Sequence, residues 1–258
     1  MSRINLFTIP AGLAFADELA RGIVKRFGVP ENPFALSQAL VLVPTRRAIR
    51  TLREAFERTA GGSMAVLPRI IALGDFDEED PGFVPDADGG TEISTLVSPA
   101  SPRPPISPLR RDMLLFTLIR RWEAQRAREG HSLGVDRPAI ALQLARELAR
   151  VLDLAAAEGV AWDKLRDLVP GELSAHWEQT IAFLDILATA WPAILEDEKR
   201  SDPAVHRDQA LRRAAAEWLE TPPLHPVIAA GSTGSVPATA ELLHAVARLP
   251  QPVSRAGV

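Results

Sequence analysis

Ala39-Leu40-Val41-Leu42-Val43-Pro44-Thr45-Arg46-Arg47-Ala48-Ile49-Arg50-Thr51-Leu52-Arg53-Glu54-Ala55-Phe56 is the stretch on which the fold turns. Its first five residues are apolar without interruption. That is the pattern of a short strand buried on both faces of a parallel sheet. After Pro44 the period changes. Ile49, Leu52 and Phe56 recur at helical spacing, and Thr45 stands where a hydroxyl can cap a helix over residues 46–59. A strand that runs straight into an amphipathic helix is the first half of a βαβ unit.

The same alternation recurs on both sides of this stretch. Arg3 to Ile9 reads as an earlier strand, Pro10-Ala11-Gly12 as its punctuation, and residues 13–27 as a helix. Met64 to Leu73 reads as the next strand. Far along the chain, Pro226-Val227-Ile228-Ala229-Ala230 is again an apolar strand, followed by Gly231-Ser232-Thr233-Gly234-Ser235 and a helix over 237–249. This order predicts an α/β domain with a parallel sheet, built from residues 1–74 and 222–250.

Two segments interrupt that domain. Residues 75–107 hold Asp75, Asp77, Glu78, Glu79, Asp80, Asp86, Asp88 and Glu92 among Pro, Gly and Ser, which predicts an acidic flexible loop. Its acids lack the fixed spacing of a metal loop. Residues 108–221 predict an all-helical insertion, with helices over 109–129, 137–158, 161–168, 173–199 (bent near Pro192) and 203–220. Asp136, Ser174 and Asp202 fall at N-cap positions. Trp122, Trp162, Trp177, Trp191 and Trp218 lie in its apolar stripes and read as core aromatics rather than base-stacking platforms. The tail 251–258 does not continue the strand expected after Leu249-Pro250 and reads as truncated or frameshifted.

Composition narrows the function classes. The 258 residues are 47% hydrophobic and 24% charged, the balance of a globular protein. The 29 Lys+Arg against 33 Asp+Glu give a net charge of −4, which excludes a strongly basic nucleic-acid coat but leaves room for a local basic patch. The absence of cysteine removes disulfides, thiol nucleophiles, iron–sulfur ligation and thiolate zinc sites. No apolar run long enough for a membrane span and no signal-peptide pattern is found, so the expected compartment is cytoplasmic.

Several catalytic patterns are missing. None of the three lysines lies in G-x-x-x-x-G-K-[ST], and the segment after the first predicted strand offers one glycine and no charge to a triphosphate. No G-x-G-x-x-G, H-x-x-x-H or G-x-S-x-G occurs. His131, His176, His206, His225 and His244 are scattered and read as surface or capping residues. No catalytic residue and no metal ligand is assigned.

Two candidate sites survive. Arg46, Arg50 and Arg53 share a helix face, with Arg47 beside them. They follow the C-terminal end of a parallel strand, where ligands bind in such sheets. Phosphate contact and a plain solvated face are both open. The Gly231–Ser235 loop offers backbone amides to an anion, or is a tight turn with Ser235 capping the next helix.

Taken together, Leu42-Val43-Pro44-Thr45-Arg46-Arg47-Ala48, Leu67-Pro68-Arg69 with Leu73-Gly74-Asp75, and Val227 through Ser235 with Pro237-Ala238-Thr239-Ala240 resemble the N-terminal part of the AddB family. These are subunits of the bacterial AddAB helicase–nuclease, which processes DNA double-strand breaks. The resemblance runs over residues 3–250. It implies a P-loop-like, degenerate superfamily 1 helicase domain with an inserted helical subdomain. Pro44, Thr45, Arg46 and Arg47 then correspond to helicase motif Ia, which touches single-stranded DNA; Arg50 and Arg53 join them as DNA-binding candidates by their helix-face spacing alone. Ala230 stands where relatives carry the Walker B carboxylate. The implied partners are DNA and an AddA-type subunit. No cofactor is implied here: the family's iron–sulfur cluster and magnesium belong to a C-terminal nuclease domain beyond these residues. The expected role is a non-catalytic DNA contact and scaffold. The alternatives are a stand-alone α/β enzyme or anion-binding protein using the Gly231–Ser235 loop, with Glu241 or His244 as base, and an interaction protein without nucleic acid.

Overall fold

Leu40 to Val43 is buried along its whole length and forms β1. A computed structural model describes residues 4–28, 34–60, 66–75, 103–130, 137–160 and 188–250. The expectations for the loop residues 76–102, the helix over 161–168, the first part of that over 173–199, the caps Asp136 and Ser174, Trp162, Trp177, His131, His176 and the tail 251–258 lie outside the described residues.

The chain divides into two compact units, Met1–Ser98 with Ala210–Val258, and Pro99–Gln209. In the first, β2 (Arg69–Ala72) and β3 (Val227–Ala229) flank β1, and both pairings are parallel. Val41 lies between Ile70 and Ile228, and Leu42 between Ile71 and Ala229. Successive strand side chains point to opposite faces. Val41, Val43 and Ile70 therefore pack on one side with Ala20 and Ile23 of α1 (Phe15–Phe27) and Leu52, Ala55 and Phe56 of α2 (Arg46–Ala60). Leu40, Leu42, Val227 and Ala229 pack on the other side. There they meet Leu211, Ala214, Ala215 and Trp218 of α6 (Pro203–Glu220) and Leu242, Ala245 and Val246 of α7 (Pro237–Arg248). An uninterrupted apolar strand is what such two-sided burial requires.

Two boundaries differ from the sequence reading. The strand predicted over Arg3–Ile9 does not form in the described residues. Instead, Asn5 spends its backbone N–H on the Ala247 carbonyl at 2.8 Å and its side-chain amide on the Leu249 carbonyl at 2.8 Å, while Leu6 and Phe7 remain exposed. Asn5 thereby satisfies carbonyls that the end of α7 leaves open. The sheet-bearing unit also takes in the chain from Ala210 rather than from residue 222, because the second half of α6 covers the sheet.

The second unit is helical. Its core joins Leu115, Ile119 and Trp122 of α3 (Pro108–Arg128) to Ala141, Ala145, Leu148 and Leu152 of α4 (Pro138–Ala157). Trp191 of α5 (188–197) completes it. Alanine facing leucine and tryptophan lets the two long helices approach closely. Trp122 and Trp191 here, and Trp218 in the first unit, are buried, as core aromatics are. Proline opens α3, α4, α6 and α7, where its missing N–H costs nothing. Ser107 accepts from the Arg110 amide in front of α3, and Asp202 caps α6 through the Ala204 amide at 3.2 Å.

Candidate functional site

β1 and β3 end side by side, and the segments after the two strands converge. The Ala230 N–H donates to the Leu42 carbonyl at 2.9 Å, carrying the pairing one step past the strand. Gly231 then takes φ +73°, in the left-handed region. A Cβ on Gly231 would lie 3.4 Å from the Phe15 ring and 3.8 Å from Pro44 Cδ. The loop after β3, the turn after β1 and the start of α1 therefore meet at the C-terminal edge of the sheet. Phe15 was visible in the sequence only as a helix position. Its role as the wall of this corner comes from the strand order.

The Gly231–Ser235 loop is held by local bonds. Gly234 also has positive φ, +66°, and a Cβ there would sit 3.2 Å from Leu243 Cδ1. Ser232 Oγ accepts from the Gly234 N–H at 3.4 Å. Ser235 does not cap the following helix: the N-cap position falls on Val236, and no side chain closes it. Ser235 lies one residue too early, so its hydroxyl is out of the geometry that capping needs. Thr233 and Ser235 are exposed. Of the two side chains offered as a base for this loop, Glu241 is paired with Arg212 at 3.1 Å and His244 is exposed.

Thr45 does cap α2, accepting from the Ala48 amide at 3.2 Å. Pro44 and Thr45 are exposed at the turn. Beyond them, Arg46, Arg47, Arg50 and Arg53 all lie on the exposed side of α2, opposite buried Leu52, Ala55 and Phe56. No acid stands in the first turn. This is the wrong sign for the helix macrodipole, which favours anions at its N-terminal end. Like charges four apart on a helix also repel by about 0.2–0.5 kcal/mol a pair. By sign and spacing Arg47, Arg50 and Arg53 do not stabilise α2, whose stability rests on its apolar face. They create a positive surface that opens at the corner formed by Pro44 and Gly231.

The second unit contains a polar cluster that the sequence did not reveal. Arg111, Asp202 and His206 are buried. Arg111 donates to Asp202 at 3.0 Å, to Asp153 at 2.8 Å and to the Ala149 carbonyl at 3.3 Å. Trp191 Nε1 donates to the same Asp202 oxygen at 3.0 Å. His206, expected at the surface or at a cap, lies with Nδ1 3.2 Å from Ser201 Oγ. Ser201 Oγ donates its one proton to the Arg103 carbonyl at 3.0 Å, so it accepts from His206 and is no activated nucleophile. Among the described residues, no three His, Asp or Glu side chains gather as metal ligands would.

No helix among the described residues is long and apolar enough to cross a membrane. Set against family models, curated proteins and solved structures, the chain matches none of them.

Proposed function

We propose that this chain is the N-terminal, helicase-like part of an AddB-type subunit that works with an AddA-type partner in DNA double-strand-break repair. In this reading the sheet-bearing unit is a P-loop-like domain that has lost its nucleotide chemistry. It supplies a DNA contact and a scaffold instead. The observation that carries the reading is the corner at the end of β1 and β3. Pro44 meets Gly231 there, and four exposed arginines lead away along α2. Phosphates of a single strand would lie along Arg46, Arg47, Arg50 and Arg53, with the Thr45 turn setting where the strand enters. Ala230 in place of a carboxylate and the lack of a phosphate-loop lysine fit a domain that holds DNA without turning over ATP. In this reading the family's iron–sulfur cluster, which needs cysteines that this sequence lacks, and its magnesium belong to the nuclease part of the family.

Fluorescence anisotropy with a single-stranded oligonucleotide over a range of salt tests this. Each phosphate contact to a single strand contributes about 0.7 to the slope of log K against log salt. Arg47→Ala, Arg50→Ala and Arg53→Ala together should flatten the slope by about 2. An unchanged affinity and slope would remove α2 from the DNA path. A second reading, anion binding at the Gly231–Ser235 loop, is favoured by the uncapped start of α7. It predicts saturable binding of a phosphorylated small molecule that Arg50→Ala and Arg53→Ala leave intact.

A further inference from the structure

We propose that Phe15 is the base-stacking residue of the corner at the end of β1 and β3, and that it sets a preference for a single strand over a duplex. The inference deepens the DNA reading above and rests on it. Phe15 is the first residue of α1, and 48% of its surface is exposed. An added Cβ on Gly231 would stand 3.4 Å from its Cε1, 3.6 Å from its Cζ and 3.8 Å from Pro44 Cδ. One side of the ring is thus seated against the loop after β3, beside the turn that leads into Arg46 and Arg47. The other exposed phenylalanines among the described residues are placed differently. Phe7 is covered by the Arg26 guanidinium, 4.9 Å from its ring centre. Phe34 belongs to the segment that enters β1 rather than the one that leaves it. The two acids in the first turn of α1 do not repel a phosphate chain from this ring: Asp17 is paired with Arg58 and Glu18 with Arg21, each at 2.6 Å.

The packing of α1 rests on Ala20 and Ile23, which are buried against α2. What Phe15 offers instead is an aromatic surface beside a row of cations. Arginines alone do not tell a single strand from a duplex, because both present a charged phosphate backbone. An aromatic ring does. The bases of a duplex are paired and stacked on one another, whereas those of a single strand are free to leave the stack and lie on a side chain. A strand whose phosphates follow Arg53, Arg50, Arg47 and Arg46 toward the Thr45 turn brings its next base to Phe15. Every base has a π-face, so the contact is tolerant of sequence and selects for strandedness.

The test is fluorescence anisotropy of the full chain with a single-stranded oligothymidylate, the same strand made abasic so that only sugars and phosphates remain, and a duplex of equal length. Phe15→Ala should weaken binding of the single strand about tenfold, the scale of one base on one aromatic ring, and leave the salt slope unchanged. Phe15→Leu keeps apolar bulk against Gly231 and should lose as much. Phe15→Trp should regain the native affinity. The native chain should bind the abasic strand about tenfold more weakly than the intact one, and Phe15→Ala should bind the two alike. Duplex affinity should stay within about twofold in every variant. Phe7→Ala should change none of these values. Full single-strand affinity in Phe15→Leu, equal binding of intact and abasic strands by the native chain, or an equal loss on the duplex would overturn the proposal. Those results leave the arginine contact standing if Arg47→Ala, Arg50→Ala and Arg53→Ala together still flatten the slope. A native chain that binds none of the three ligands, or a slope that the arginine changes leave alone, would overturn both.

Discussion

Asp202→Ala should open the helical unit by a predictable amount. One Asp202 oxygen accepts from both Arg111 and Trp191 at 3.0 Å, and the other caps α6 through the Ala204 amide at 3.2 Å. Arg111 is 5% exposed, so its charge cannot turn to water when that carboxylate is gone. Breaking a buried pair on one side costs about 3–5 kcal/mol. Loss of the cap adds about 1 kcal/mol. Asp153 and the Ala149 carbonyl still hold Arg111, which offsets part of this and keeps the total at about 3–5 kcal/mol. Hydrogen exchange of the full chain reads the loss locally. The slowest amides of α3 and α4 should exchange at least about 100-fold faster, since about 1.4 kcal/mol is a factor of ten. Adding Arg111→Met should restore much of the protection, because removing both charges is far less costly than stranding one. Acceleration below about fivefold, or a double variant worse than Asp202→Ala alone, would refute the reasoning.

Three further outcomes are expected from the geometry. Gly231→Ala places a side chain at φ +73° and 3.4 Å from the Phe15 ring; it should cost about 1–2 kcal/mol, read as a lower urea midpoint for the sheet-bearing unit. Thr45→Ala removes the cap on the Ala48 amide and should cost about 1 kcal/mol, with Thr45→Ser restoring it in thermal unfolding. The hydrogen bond from Arg103 holds Glu196 below the usual carboxylate range, and that from Arg110 does the same for Glu198. A depressed carboxylate contributes stability above its unfolded value and loses it as pH falls through the folded one. The native chain and its Glu196→Gln, Glu198→Gln variant should therefore differ at neutral pH. They should converge only under acid conditions below the ordinary carboxylate range, and a constant gap across that range would contradict the pairing.

The centre of the fold was legible because β1 and α2 carry two different periods with a proline between them. Leu40–Val43 could only be a strand buried on both faces, and Ile49, Leu52 and Phe56 could only be one side of a helix. The N-terminal strand was misread for the opposite reason. Ile4, Leu6 and Phe7 look like strand residues, yet a strand is fixed by its pairing partner, and Asn5 finds the end of α7 instead. Asp202 was legible as a cap from its place just ahead of the helix predicted over 203–220. Its bond to Arg111, 91 residues away, was not, because nothing local in the sequence records it. His206 was misplaced for the same reason. At the candidate site, the arginine spacing showed a shared face, but only the parallel pairing of β1 with β3 brings Pro44 against Gly231.

The most direct test of the proposed DNA contact is where a strand lies on the protein. A single-stranded oligonucleotide carrying photoreactive bases, cross-linked to the native chain at low salt and mapped by mass spectrometry, answers it. Cross-links should fall within Pro44–Arg53, and a competing unlabelled strand should suppress them. Cross-links confined to other segments, with none in Pro44–Arg53, would contradict the contact.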